Sequence, residues 1–298
     1  MNENEQPVSY HRSVLVKEIL EELNIRPGKR YIDATLGDAG HTLAIAKSGG
    51  TVLGIDQDED AIKRSLDRIK GQPREIIQRI TLVKGNFAYI KELARQNNFD
   101  KVHGILFDLG ASTYQLFNAQ RGFSFWRNGP LDMRMDRSND LSAVTVINFL
   151  DEGELNEIFT RYAEEHHSRP IARAIIRARS LKKIETTNEL AKIVESAVSK
   201  NSFGIHPATK IFQALRISVN NELDRLKTVL PEAVDLLDDM GRLAVISYHS
   251  LEDRIVKLFI TQSKQLKPIT KRPIRPDGEE VKHNTRARSA RLRLAQRL

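Results

Sequence analysis

Three aspartates, Asp33, Asp56 and Asp108, each close a short apolar run, and a fourth, Asp38, lies in the turn Gly37-Asp38-Ala39-Gly40-His41. Gly37 and Gly40 let a backbone approach a ligand closely, and Ala39 adds little bulk between them. Asp56 follows Gly37 by 19 residues, the spacing at which a carboxylate holds ribose hydroxyls in a doubly wound fold. Two kinds of nucleotide cofactor compete for such a turn. The dinucleotide fingerprint needs glycines at 37, 39 and 42, and the chain has Gly37, Ala39 and Thr42. A pyrophosphate also favours a helix start free of anions, whereas Asp33 and Asp38 favour a cationic ligand. S-adenosylmethionine, with its sulfonium and ammonium groups, is therefore the expected cofactor; a glycine turn that serves only a βα corner is the alternative. Asn86 and Phe87 follow the third apolar run, where the ring would pack on an adenine; plain core packing of Phe87 is the alternative.

Asp108 opens the segment Asp108-Leu109-Gly110-Ala111-Ser112 at the end of the fourth run, where open α/β sheets bind ligands. Its expected partner is a substrate amine or the cofactor's ammonium. The following loop carries Arg121, Phe123, Phe125, Trp126, Arg127, Asp132, Arg134 and Asp136. Aromatics interleaved with arginines suit a splayed nucleobase and its phosphates, and packing of the loop on neighbouring helices is the alternative. The chain has no cysteine, which excludes disulfides, thiolate metal sites and thiolate nucleophiles. His166 and His167 point about 100° apart if helical, so they are poor co-ligands, and no metal is expected.

These residues need elements to hold them. Apolar runs at 31–36, 51–56, 80–84 and 103–108, separated by helix-like segments at 41–47 and 60–70, predict βαβ units and a parallel sheet. A loop over 110–140 is too long for an ordinary connection. Helical patterns follow, including a capping box at Thr186-Thr187-Asn188-Glu189 and a helix opened by Pro207. Another helix is expected around 231–239, a strand at 242–248, and a helix from Ser250. Two tail strands are expected at 266–272 and 289–294. The chain thus predicts an α/β sheet interrupted by a helical insertion.

The charge is uneven. Of 47 Lys and Arg and 39 Asp and Glu, 11 basic and 3 acidic residues lie from Lys264 onward, which leaves the preceding chain balanced. A neutral body with a basic tail predicts a polyanionic partner, nucleic acid first. Arg169, Arg173, Arg177, Arg179, Lys182 and Lys183 in the insertion, and Arg286, Arg288, Arg291 and Arg293 in the tail, are the expected phosphate contacts. No apolar stretch approaches the ~20 residues that cross a bilayer, and the opening residues are polar. A cytoplasmic location without membrane association is expected.

Several long motifs resemble one family. Asn118-Ala119-Gln120-Arg121-Gly122-Phe123-Ser124-Phe125 and Gly129-Pro130-Leu131-Asp132-Met133-Arg134-Met135-Asp136 are followed by His206-Pro207-Ala208-Thr209 and Phe212-Gln213-Ala214. Ser247-Tyr248-His249-Ser250-Leu251-Glu252-Asp253-Arg254 and Asn284-Thr285-Arg286-Ala287-Arg288-Ser289 complete the set. From His11 to Leu298 the chain resembles the RsmH (MraW) family, bacterial methyltransferases acting on cytidine N4 of small-subunit ribosomal RNA. The resemblance implies a class I S-adenosylmethionine-dependent methyltransferase fold, Rossmann-like, with its catalytic domain at 1–113 and 209–298 and an inserted helical substrate-recognition domain at 114–208. It implies cofactor contacts at Ala39, Gly40, His41, Asp56, Phe87, Asp108 and Gln115. It implies as partner the 16S ribosomal RNA, in the small subunit or an assembly intermediate; a homodimer is compatible with it. Two departures stand out. Ala39 replaces the family's usual first glycine of Gly-Gly-His, and Ser112-Thr113-Tyr114-Gln115 replaces Ser-Ser-Pro-Gln.

The missing cysteine bears on the reaction. Methylation at cytosine carbon 5 needs an added nucleophile, normally a thiolate, whereas the exocyclic amine attacks a sulfonium methyl directly. An acceptor beside that amine offsets developing positive charge. Asp108 is the expected catalytic group, with His249, Asp132 and Arg134 as candidate substrate contacts. An amino methyltransferase acting on DNA or another RNA, and a silent RNA-binding scaffold, are the competing readings.

Overall fold

A computed structural model describes residues 12–165, 167–198 and 206–298. It divides into two compact units, Met1–Gly110 with Arg225–Leu298, and Ala111–Asp224. The first unit begins with α1 (Val16–Glu22), β1 (Arg30–Asp33), α2 (Gly40–Lys47), β2 (Thr51–Asp56), α3 (Glu59–Lys70), α4 (Arg74–Ile77), β3 (Ile80–Lys84), α5 (Ile90–Gln96) and β4 (Val102–Asp108). Tyr31, Ile32, Val52, Leu53, Ile55, Ile105, Leu106 and Phe107 are all buried. Continuous rather than alternating burial is what parallel strands covered on both faces require. The helix α3 shows why its sequence winds where it does. The Asp58 side chain accepts from Asp60 N at its start, and Arg68 and Lys70 occupy its last turn, complementing the helix dipole.

The second unit contains α6 (Thr113–Phe117), α7 (Ala143–Phe149), α8 (Glu152–Ala163), α9 (Ser168–Leu181), α10 (Thr187–Ala197) and α11 (Pro207–Asn220). Capping boxes open α6 (Ser112 with Gln115), α8 (Asp151 with Glu154) and α10 (Thr186 with Glu189), each satisfying two otherwise orphaned amides. The loop expected over 110–140 is therefore shorter, because α6 and a 3-10 turn, Ala119–Arg121, occupy its first part. Leu155, Phe159, Ile171, Ile175, Leu190, Ile211, Phe212 and Leu215 form this unit's core. That core moves the expected second boundary. Residues of α11 bury their apolar face among the other helices, so the break falls after Asp224 rather than after 208, and the first break falls after Gly110 rather than 113.

The chain continues with α12 (Glu222–Leu236), β5 (Leu237–Ser247), α13 (Ser250–Gln262), β6 (Leu266–Pro268), α14 (Gly278–His283) and β7 (Arg291–Arg297). The helix expected to reach 239 stops at Leu236, because Leu237 is buried and pairs with Val102 of β4. The register then slips between Val102 and Gly104, with Met240 at φ +64°. The first tail strand is only three residues long, and its Pro268 has no amide to offer the ladder.

The seven strands run β3-β2-β1-β4-β5-β7-β6. The first five are parallel, and β7 runs antiparallel to both β5 and β6. This is the class I methyltransferase form of the doubly wound sheet. Its strand order reverses between β1 and β4, and ligands bind such sheets at the carboxyl ends beside that switch point. Asp33, Asp56 and Asp108 all sit at carboxyl ends. No helix among the described residues is long and apolar enough to cross a membrane.

Candidate active site

The turn after β1 is held from both sides. Thr42 Oγ1 donates to Asp33 Oδ2 at 2.7 Å, and Thr35 N donates to Asp33 Oδ1 at 3.3 Å. Asp33 is wholly buried. Burial pushes its carboxyl pKa up, against the opposing pull of His41 and of the Thr42 hydroxyl. Gly37 has φ +52° and Ala39 φ +58°. The left-handed region costs a non-glycine residue roughly 1 kcal/mol, so Ala39 carries a strain that glycine would not. A side chain at Gly40 would meet Ser13 Oγ at 1.9 Å, which explains why that position is bare. Asp38 does not face a ligand as a free anion. Its carboxylate takes both arms of Arg64, at 2.9 and 3.0 Å, and Arg68 Nη1 donates to its carbonyl at 2.6 Å. The acidic character expected of this turn is therefore largely neutralised at Asp38.

Asp56 ties the first two turns together. Gly37 N donates to its Oδ2 at 2.9 Å and Asp58 N to its Oδ1 at 2.9 Å. Burial nevertheless pushes its pKa up to about 7, because two amide donors do not replace the water it has lost. Each carboxylate oxygen keeps a second lone pair, so hydroxyl donors remain welcome. Beyond β3, the Asn86 side chain donates to Gln57 Oε1 and accepts from Ala88 N. Arg225 Nη1 also donates to Gln57 Oε1, at 3.0 Å. Phe87 is partly buried and stands edge-on to Phe107, with centroids 5.8 Å apart.

Asp108 is the focus of three strand ends. Its amide donates to Thr35 Oγ1 at 2.6 Å, and Tyr248 Oη donates to its Oδ1 at 2.8 Å. Its Oδ2 lies 3.5 Å from His41 Nε2. The Asp108 side chain is 22% exposed, whereas His41 is 4% exposed. Neither His41 ring nitrogen hydrogen-bonds any group among the described residues. Burial disfavours the imidazolium, yet Asp108 together with Asp33 and Glu280 outweighs it and raises the His41 pKa. Burial and the Asp108 charge push the Tyr248 hydroxyl well above its usual range, so it remains a donor. One oxygen of Asp108 is thus pinned, and the other lies against a buried imidazole.

His249, adjacent in sequence to Tyr248, has another neighbour. Its Nε2 is 3.1 Å from Glu252 Oε1, out of line for a hydrogen bond, while Glu252 Oε2 accepts from Tyr248 N at 2.8 Å. The residue that reaches Asp108 is Tyr248, which the sequence pattern did not single out. The available signal was its place just past β5, the neighbour of β4.

The remaining expected residues belong to the helical unit. Gln115 is buried, and its Oε1 accepts from Ser112 N at 2.9 Å in the α6 capping box. Arg134 clamps Asp132 through Nε at 2.8 Å and Nη2 at 3.0 Å, and its Nη1 donates to the carbonyls of Arg137 and Asn139. Burial would raise the Asp132 pKa, but Arg134 outweighs it and lowers it. Arg121, expected on phosphate, is 1% exposed and donates to the carbonyls of Arg134 and Met135; Phe123 is buried beside it. These side chains build the loop. Two of the tail arginines are also engaged, Arg291 and Arg293 both pairing with Asp253, the latter in a fork at 2.6 and 3.1 Å. In the insertion, Arg173 pairs with Glu152 and Lys182 with Glu189. His166 lies outside the described residues, and His167 sits against Glu165. Among the described residues no group of three His, Asp or Glu is placed to hold a metal ion.

Sequence comparison places the chain among known proteins. The chain is 49% identical over 288 residues to "Ribosomal RNA small subunit methyltransferase H" of Deinococcus deserti, covering 97% of this chain and 93% of the relative. It is 41% identical over 312 residues to the protein of the same name from Brevibacillus brevis, covering 97% and 98%. The structure of an rRNA methylase from Streptococcus thermophilus aligns over 97% of this chain and 99% of its own, at 10% identity and a TM-score of 0.47. With the MraW methylase family matching residues 8–298, the chain belongs to that family.

Proposed function

We propose that the protein is an S-adenosylmethionine-dependent methyltransferase that methylates N4 of a cytidine in the decoding region of bacterial 16S ribosomal RNA. The observation that carries the reading is the Asp108 carboxylate, held at the carboxyl end of β4 by Tyr248 with its side chain still 22% exposed. Membership of the MraW methylase family supports it.

The residues present fit such a cofactor. The turn at Gly37 is open, with only Thr35 O, 4.0 Å away, near the position of an added Cβ. Asp56 offers lone pairs at the end of β2, where ribose hydroxyls are held in this fold. Ala39, Gly40 and His41 would line the turn, with Phe87 beyond β3. Bound there, S-adenosylmethionine supplies an electrophilic methyl group on its sulfonium.

The chain's own groups do the rest. An exocyclic amine conjugated to cytosine is a weak nucleophile, and it gains positive charge as it is alkylated. Asp108 offers a preoriented acceptor for an amine N–H, which favours that charge and takes up the released proton. Tyr248 fixes the rotamer of Asp108, so the acceptor needs no reorganisation. No cysteine exists to add to the ring, so this chain is suited to nitrogen rather than carbon 5. The helical unit, Ala111–Asp224, is assigned to RNA recognition, and the reaction is placed in the cytoplasm, on the small subunit or its assembly intermediate.

The test incubates the protein with radiolabelled S-adenosylmethionine and undermethylated small subunits and maps the modified nucleotide. Label on N4 of one 16S cytidine is expected. Label on carbon 5, on DNA, or nowhere would overturn the reading. Calorimetry with the cofactor separates a silent scaffold, which need not bind it, from an enzyme given the wrong substrate.

A further inference from the structure

The helical unit sends one aromatic column out of its core. Phe212 of α11 is 4% exposed. Phe125 stands edge-on against it at 5.1 Å and packs on His206 at 4.7 Å. Trp126 then lies on Phe125, with centroids 5.2 Å apart and planes tilted by only 30°, and meets His206 at 6.2 Å. At the end of the column Trp126 is 79% exposed. It is the chain's single tryptophan. An indole buries a large apolar area when it folds inward, so leaving it in water forgoes stabilisation that a polar residue at the same site would not have forgone.

The neighbouring residue is prepared as well. Arg127 Nη1 donates to Phe117 O at 3.0 Å, and its guanidinium carbon lies 5.6 Å from the centre of the Phe117 ring. Phe117 is itself 56% exposed. The backbone between them is locked: Thr187 Oγ1 donates to Arg127 O, Gly129 N donates to Thr187 Oγ1, and Thr187 N donates to Gly129 O at 3.0 Å. A side chain at Gly129 would strike Ala119 O at 1.9 Å, so the loop cannot easily drift. The result is a rigid indole face beside a fixed cation.

We infer that Trp126, backed by Phe125 and flanked by Arg127, is a stacking platform for an unpaired nucleotide of the RNA substrate outside the reacting base, with Arg127 on an adjoining phosphate. This rests on the proposed reading of the protein as an RNA methyltransferase and adds a second contact to it. Unpaired bases are recognised by stacking on aromatic faces, and guanidinium groups serve the backbone beside them. A protein partner would bury a far broader surface than this indole, the adjoining Phe117 ring and one arginine provide.

The single tryptophan makes the test direct. Fluorescence of the full-length protein is titrated with a single-stranded oligoribonucleotide copying the 16S decoding region, and with an abasic oligomer of equal length. Stacking predicts strong quenching by the first and little by the second. In filter binding, which does not need the fluorophore, Trp126→Ala should weaken binding of the oligonucleotide about 10-fold, a loss within the ~1–3 kcal/mol expected per stacked base, and Trp126→Phe should recover most of it. Equal quenching by both oligomers, unchanged affinity in Trp126→Ala, or burial of the indole by ribosomal proteins without RNA overturns the inference. Methyl transfer to small subunits is measured in parallel. A Trp126→Ala protein with normal RNA affinity and normal transfer sinks the platform alone. A wild type that binds RNA through Trp126 yet transfers no methyl group sinks the enzymatic reading alone.

Discussion

The two units use motif residues in opposite ways. In the helical unit the polar residues of the long loop are spent on one another: Arg134 clamps Asp132, and Arg121 is buried on two carbonyls. In the sheet unit the polar residues around the strand ends are paired less evenly. His41 is buried with both ring nitrogens unbonded among the described residues, and Asp56 is held at a pKa of about 7. Satisfied polar networks rigidify a scaffold, while strained and under-satisfied ones mark sites awaiting a ligand. Substitutions in the first group should therefore cost stability, and those in the second should cost activity.

The largest effect is expected at Asp108. Asp108→Ala removes the proposed acceptor and should lower kcat by roughly 10³-fold. Thermal unfolding should move less than for a fully buried polar residue, since the Asp108 side chain is itself 22% exposed. A well-folded variant with near-normal turnover would contradict the division between units. Tyr248→Phe leaves Asp108 in place but unpinned. It should reduce kcat about 10-fold, through lost positioning, with a smaller change in cofactor affinity measured by calorimetry.

Arg121→Met tests the other side. Two loop carbonyls lose their buried donor, which should cost about 3 kcal/mol and lower the thermal midpoint by roughly 10 °C. Circular dichroism reads this directly. An unchanged midpoint would mean that the loop is not built on Arg121.

Asp56 gives a pH signature. Its folded pKa lies above the carboxylate's ordinary value, so protonation favours the folded, ligand-free protein. The stability it contributes is complete below about pH 4 and is lost as pH rises toward 7. Hydroxyl donors prefer the ionised form, so cofactor affinity should tighten several-fold between pH 6 and pH 8. Asp56→Asn should abolish that dependence and raise the stability of the ligand-free protein at pH 8. Calorimetric titrations at both pH values decide it.

The sheet unit was far more legible than the helical one. Asp33, Asp56 and Asp108 could be placed because each closes an apolar run, and short crossovers leave few topologies for such runs. Tyr248 was missed because it meets Asp108 across 140 residues, and only the pairing of β4 with β5 reveals the contact. Asp38 looked like a free anion because Arg64 lies one turn into a different crossover. Arg121 looked like a phosphate ligand because arginine is seldom buried, and nothing local foretold two carbonyls waiting inside. The strand starting at Leu237 hid behind a helical pattern, since pairing with Val102 overrides local periodicity.

The smallest effects separate arginines that resemble one another in sequence. Arg177 of α9 is exposed, while Arg293 of β7 is 13% exposed and forked onto Asp253. Burial would raise the Asp253 pKa, but Arg293 and Arg291 outweigh it and lower it, so this pair is ionised and structural. An exposed arginine on phosphate contributes through counterion release, and its removal reduces the slope of log affinity against log salt by about 0.7–0.9. Arg177→Gln should show that reduced slope with stability unchanged to within about 0.5 kcal/mol. Arg293→Gln leaves Asp253 with fewer donors and should lower stability, while the salt dependence of RNA binding stays as in the wild type. Filter binding across a salt series, set beside unfolding curves of both variants, distinguishes the two roles. If the slopes fell equally, the tail pairing would be too weak to withhold Arg293 from RNA.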